Sequence, residues 1–156
     1  MKQNIIFGMT LAVAMWSGAS AQAASDSATA RARVLSVLSL DNETDLNFGD
    51  AYRGDIAATV APTETAKAAR FALTNGTANV GLQISYDMPE PMLHEAGTPG
   101  VEDDEIVVDN FSSNIDLAPT TGSQTFHVGA RRAAIRANQA LGNYTGTFTV
   151  TVNYAL

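Results

Sequence analysis

"NYTGTFTVTVNYAL", Asn143 to Leu156, is the stretch that decides how this chain is read. Successive side chains of an extended strand alternate between its two faces. Phe148, Val150, Val152 and Tyr154 therefore share one face, and Thr147, Thr149, Thr151 and Asn153 share the other. The pattern predicts an amphipathic β-strand. It also poses a question: whether the strand closes the protein's own sheet or offers an edge to another molecule.

Upstream, similar short runs recur between Asn, Gly, Asp, Pro and Thr: "ARVLSVLSL" (Ala32–Leu40), "LNFG" (Leu46–Gly49), "IAATVAP" (Ile56–Pro62), "ARFALT" (Ala69–Thr74), "VGLQISY" (Val80–Tyr86), "EIVVDNF" (Glu105–Phe111), "TFHVG" (Thr125–Gly129) and "AAIRA" (Ala133–Ala137). Their spacing predicts an all-β domain of seven to nine strands and favours a sandwich over a barrel, although periodicity alone does not separate the two. Only "ETAKAARFAL" (Glu64–Leu73) and "RRAAIRANQAL" (Arg131–Leu141) compete as helices. Both are short, poorly capped and next to β-like residues, so both are read as mainly strand. The segment Asp87–Glu105 holds three of the five prolines and a dense acidic run, and reads as a long excursion between strands.

The opposite end of the chain predicts export. Lys2 precedes an apolar run, Ile5–Trp16, and the small-x-small pattern Ala21, Gln22, Ala23 follows. This is the order of a secretory signal peptide, with cleavage expected after Ala23. The apolar run is too short to span a bilayer comfortably and has no basic stop-transfer flank, so no membrane span is expected after cleavage. The expected layout is a signal peptide at 1–23, an N-terminal extension at 24–34 and a single β-sandwich at 35–156. Its expected location is outside the inner membrane, in the periplasm, at the cell surface or in the medium.

Removing the first 23 residues takes away one lysine and no acid, leaving eight basic and sixteen acidic side chains and a net charge of −8. A domain of this length buries roughly two-thirds of its unfolded surface, enough for a core without staples. The chain has no cysteine, which excludes disulfides, thiol catalysis and Cys-ligated zinc. An acidic domain without a basic stripe is a poor match for nucleic acid or anionic membranes.

Catalytic signatures are missing from the sequence. His94 and His127 are the only histidines and have no zinc spacing; His127, between Phe126 and Val128, is expected on the solvent face. There is no Gly-x-Ser-x-Gly elbow and no Ser-x-x-Lys element, and "NFSSN" (Asn110–Asn114) has no base beside it. Glu102, Asp103, Asp104 and Glu105, with Asp109 nearby, offer oxygen ligands but not the alternating order that wraps a calcium loop. They read as a solvated charged loop. No pair among the sixteen carboxylates is singled out for glycoside hydrolysis. Asn42, Asn75, Asn110 and Asn143 each begin an Asn-x-Ser/Thr triplet, of which those at Asn75 and Asn143 also suit turns. No enzyme, no cofactor and no metal are expected.

A resemblance rests on "DLNFGD" (Asp45–Asp50), "RFALTNGTANVGLQISY" (Arg70–Tyr86) and "FHVGARRAAIRANQALGNYTGTFTVTVNY" (Phe126–Tyr154). Together these stretches resemble the bacterial domain-of-unknown-function family numbered 4402, over nearly the whole chain after the leader. More distantly the chain is similar to the group of spore coat protein U and archaic chaperone-usher pilins, which also end in Gly-x-Tyr and an alternating strand. Two features depart from these patterns. The pilin group commonly has a disulfide, and where the closer family tends to show "VGG" this chain has "VGARRAAI", so the strand after Gly129 is expected to be more exposed here.

The resemblance implies an immunoglobulin-like sandwich that lacks one strand. The groove so left is filled first by a periplasmic chaperone, with an usher completing assembly, and then by the N-terminal extension of the next subunit. On that reading Phe148, Val150, Val152 and Tyr154 belong to the groove strand. The donor is Ala24–Val34, with Ala28, Ala30, Ala32 and Val34 alternating against Thr29, Arg31 and Arg33. Alanines fill only shallow pockets, which makes this a weak donor. The expected function is an exported, non-enzymatic, pilin-like subunit forming a homopolymer by strand complementation. The alternative is a self-complete monomeric sandwich acting as a secreted or periplasmic binding module. For that module the absence of Trp outside the leader counts against sugar stacking.

Overall fold

The computed structural model describes residues 26–156; the expected signal peptide and its cleavage point lie outside the described residues. The chain divides into two units, Met1–Arg33 and Val34–Leu156. In the first, residues 26–33 carry no strand and their side chains are exposed.

The second unit is all β. Its strands are β1 (Ser39–Thr44), β2 (Ala58–Val60), β3 (Ala69–Thr74), β4 (Leu82–Asp87), β5 (Met92–His94), β6 (Glu105–Ile106), β7 (Val108–Ser113), β8 (Gln124–Arg132), β9 (Tyr144–Thr145) and β10 (Thr149–Tyr154), with one short 3₁₀ turn at Glu102–Asp104. Ten strands exceed the seven to nine read from sequence because β5, β6 and β9 have only two or three residues each.

The longest strand organises the fold. Phe126 and Val128 on β8 are fully buried, and Ala130 nearly so. β8 pairs antiparallel with β3 through Ala69↔Val128 to Leu73↔Gln124, and further along with β2 through Val60↔Ala130. It also pairs with β7, where a register shift lies between Asp109 and Ser112. β1 adds outside β3, with a register shift between Asn42 and Thr44. The second layer is a two-stranded sheet in which β4 and β10 pair along their whole length, from Thr149↔Asp87 to Tyr154↔Leu82.

Aromatic side chains bind the layers into one sandwich. Phe71 stacks on its cross-strand neighbour Phe126 at 5.7 Å and meets Phe148 edge-on at 6.4 Å. Phe148 lies 5.0 Å from Phe111, which stacks on Tyr86 at 5.8 Å. Each such pair adds about 0.5–1.5 kcal/mol beyond area burial. Ile84, Tyr86, Val150, Val152 and Tyr154 pack on the cluster of Ala69, Phe71, Leu73, Leu82, Phe126 and Val128.

Several sequence expectations change. The "ETAKAARFAL" stretch is neither helix nor wholly strand: backbone bonds from Lys67 and Ala68 to the Glu64 carbonyl make a turn, and the strand starts at Ala69. "RRAAIRANQAL" leaves the sheet after Arg132 and continues as a loop, and "LNFG" forms no strand. Only the last two residues of "ARVLSVLSL" enter β1. The Asp87–Glu105 excursion is structured, since Met92–His94 forms the centre of a three-stranded sheet between β6 and β9.

The expectation of greater exposure after Gly129 is overturned. Gly129, Ala130 and Arg132 are all buried. At Gly129 the crossing of β2 is so close that a Cβ would collide with the Val60 carbonyl oxygen, which only glycine permits. Arg132 is drawn inward by carbonyl acceptors: its Nη1 donates to Ile56 O at 3.2 Å and Ala133 O at 3.0 Å.

Candidate functional site: the flank of β1 and β10

The alternating residues of the last strand divide as their spacing dictates. Phe148, Val150, Val152 and Tyr154 are half-buried against the core, whereas Thr149, Thr151 and Asn153 are exposed. Among the described residues, β10 pairs with β4 alone, so its other edge keeps its backbone donors and acceptors unmatched by any strand. β1 likewise pairs only with β3 and forms the edge of the larger sheet.

These two edges lie on the same flank of the sandwich. At one end, Tyr154 Oη donates to Ser36 O at 3.0 Å and accepts the Thr77 N–H at 2.8 Å. At the other end, a cleft of about 530 Å³ is lined by Asn42, Leu46 and Phe71 on one side and Gly146, Thr147 and Phe148 on the other. Leu38, Leu40 and Leu46 pack on the core beneath this flank. The exposed residues of β1 are polar or acidic, with Glu43 paired to Arg70 at 2.9 Å. The flank is therefore a pair of free strand edges over an apolar floor.

The expected groove-strand residues Phe148, Val150, Val152 and Tyr154 lie on the β10 side of this flank, whereas β1 was not among the expected groove residues. The alternation of Leu38 and Leu40 within "VLSVLSL" was the available signal for β1. Leu46 and Phe71 join only through the fold. Of the donor residues, Ala28, Ala30 and Ala32 lie in the strandless segment 26–33, and Val34 is exposed at the start of the second unit.

The other singled-out residues have structural partners. His94 Nε2 lies 2.9 Å from Leu141 O and its Nδ1 accepts the Ala96 N–H at 3.2 Å, while its ring packs at 5.3 Å on Tyr144. His127 is half-buried between the fully buried Phe126 and Val128, and its N–H donates to Asn114 Oδ1. In the acidic run, Glu102 pairs with Arg136 at 3.3 Å, Asp104 accepts the Thr98 N–H, Glu105 accepts the Gly100 N–H and Asp103 accepts from Asn138. Asp109 pairs with Arg131 at 3.1 Å. Asn75 and Asn110 adopt φ of 60° and 51°, which suits a turn and the β7 irregularity. No group of three His, Asp or Glu side chains among the described residues is placed to hold a metal ion, and no helix there is long and apolar enough to cross a membrane.

One titration is displaced. Burial raises the Tyr86 phenol above its ordinary range, and a hydrogen bond with Ser113 pulls it back in part.

Comparison with curated proteins and with solved structures returns no match. The family described as "Domain of unknown function (DUF4402)" matches residues 38–154, which takes in every strand of the sandwich from β1 to β10. The chain belongs to the DUF4402 family.

Proposed function

We propose that the protein is an exported, non-enzymatic structural subunit that assembles with copies of itself by β-strand complementation at a bacterial surface. The observation that carries this reading is the β1 and β10 flank: two free strand edges side by side, floored by Phe148, Val150 and Val152. An incoming strand hydrogen-bonded to β10 gains main-chain affinity, and apolar residues at alternate positions set its register. The similarity to the archaic chaperone-usher pilins supports the same reading. It supplies the expected donor, Ala24–Val34, and a periplasmic chaperone as first occupant of the flank.

The test uses a chain starting at Val34 and a synthetic peptide of residues 24–34. On this reading the shortened chain self-associates or unfolds readily, and the peptide raises its melting temperature. Replacing Ala30 and Ala32 with Asp in the peptide abolishes the gain. A shortened chain that is a stable monomer and ignores the peptide overturns the proposal. It would favour a self-complete binding module, a reading to which the burial of Phe126 and Val128 without any added strand also lends weight.

A further inference from the structure

Just before β2 the chain reads Tyr52, Arg53, Gly54, Asp55, Ile56, and these residues form a turn with its own fastenings. The Asp55 N–H donates to Tyr52 O at 3.0 Å and closes the turn, while the Tyr52 N–H donates to Asp55 Oδ2 at 2.8 Å. Two further bonds pin it to the loop after β8: the Gly54 N–H donates to Ile135 O at 3.0 Å, and the Ile135 N–H to Asp55 O at 2.9 Å. Gly54, the third residue of the turn, has a φ of 87°, which glycine adopts readily and other residues do not. Apart from its chain neighbours, no atom lies within 4 Å of the place its Cβ would occupy, so the backbone there is open to close approach.

The two charges at the tip are each half engaged. Arg53 is exposed; its Nε donates to Gln139 O at 2.6 Å, which steadies the stem, and its Nη1 and Nη2 have no partner among the described residues. The Asp55 side chain is 40% exposed. Its Oδ2 is held by the Tyr52 N–H, with Arg132 Nη2 at 3.8 Å, and its Oδ1 accepts no hydrogen bond among the described residues. On either side of this pair Tyr52 and Ile56 are 77% and 83% exposed, two large apolar side chains on one short turn. None of the five residues lines the cleft of the β1 and β10 flank or lies on either strand, so this surface stands apart from strand complementation.

We propose that this turn docks a receptor protein whose site sets a bound divalent cation beside an acidic pocket. Asp55 Oδ1 takes one coordination position of the cation, and the Nη1 and Nη2 end of Arg53 enters the acidic pocket. The single free oxygen decides the first half: a guanidinium fork uses both oxygens of a carboxylate, whereas a hard cation accepts one. The second half follows from the two unused nitrogens of Arg53, which present paired donors to carboxylates. Opposite charges two residues apart call for a partner that carries both signs, which a surface of one sign does not offer. The fastened turn is already ordered, so little entropy is lost on docking, and Tyr52 and Ile56 supply apolar contact beside the charges.

The test passes the purified protein over an immobilised integrin ectodomain, an adhesion receptor with this pairing of cation and acidic pocket, in manganese and again in EDTA. Saturable binding in manganese that is lost in EDTA, and that an Arg-Gly-Asp peptide displaces while an Arg-Gly-Glu peptide does not, supports the proposal. Asp55→Asn keeps an oxygen for the Tyr52 N–H but removes the charge, and should raise Kd by about tenfold or more. Arg53→Gln removes the other charge and should weaken binding several-fold. The Gly54 amide signal in NMR reports whether each variant keeps the turn; should Asp55→Asn lose it, Arg53→Gln decides. The proposal falls if the protein does not bind in manganese, if binding survives EDTA or resists the Arg-Gly-Asp peptide, or if either variant binds like the parent with its turn intact.

Discussion

Tyr154, the last residue of β10, donates its hydroxyl proton to the carbonyl of Ser36, three residues before β1 begins. The same oxygen accepts the Thr77 N–H, so one phenol ties together the C-terminal strand, the approach to β1 and the turn after β3. Tyr154→Phe keeps the ring and leaves the Thr77 donor and the Ser36 acceptor without it. We expect a loss of about 1–3 kcal/mol in denaturant unfolding, with faster amide exchange at Thr77 as the local sign.

The two faces of β10 should respond oppositely to charge. Val152→Asp places a carboxylate against the core cluster and should cost several kcal/mol, about 3 or more, whereas Thr151→Asp on the exposed face should stay within about 0.5 kcal/mol. Melting curves of the two variants are sufficient, and equal tolerance would contradict the register of this strand.

Gly129→Ala should be among the most damaging single-methyl additions in the chain. The new Cβ meets the Val60 carbonyl oxygen, which is backbone and has no rotamer to yield, so β2 must move off β8. Overpacking of this kind typically costs about 1–3 kcal/mol and sometimes more. Gly49→Ala is the control for steric crowding: that position has open space and only a positive φ, so its cost should be smaller and purely conformational.

Stability should fall in alkali through Tyr86. Its phenol is held protonated by burial, so the unfolded chain releases that proton at a lower pH than the folded one. Above the ordinary tyrosine range the folded state binds more protons than the unfolded state, and stability then decreases as pH rises; below that range this group adds no pH dependence. Tyr86→Phe should flatten the alkaline limb of a melting-temperature profile measured between pH 8 and about 11.

How much of this was legible in the sequence follows from which interactions are local. Phe148 to Tyr154 could be read because a strand's alternation is contained in its own residues, and the same holds for "ARFALT" in β3. Arg132 could not be read. Its burial depends on carbonyls at Ile56 and Ala133 and on the passage of β2, none of which marks the sequence around "VGARRAAI". The turn at Glu64–Ala68 was hidden for a related reason: a backbone turn closed on a carbonyl leaves alanine-rich residues that suit helix, strand and turn alike. Met92–His94 lies between prolines and acids, and becomes a central strand only because Tyr144 and Ile106 arrive from distant parts of the chain.

The position of β8 in the chain has a consequence for biosynthesis. Every residue of β3 that pairs with β8 waits for a partner more than fifty positions downstream, and β2 waits longer still. Loop closure of that length must precede any reward from the contacts, which places the protein among slow folders. Made from the N-terminus onward, the first half of the domain has a bare β3 edge and an uncovered Phe71 until Phe126 has been synthesised. During that interval the nascent chain is at its most prone to pair with the wrong strand, and whatever keeps it apart from its neighbours must act before the sandwich exists.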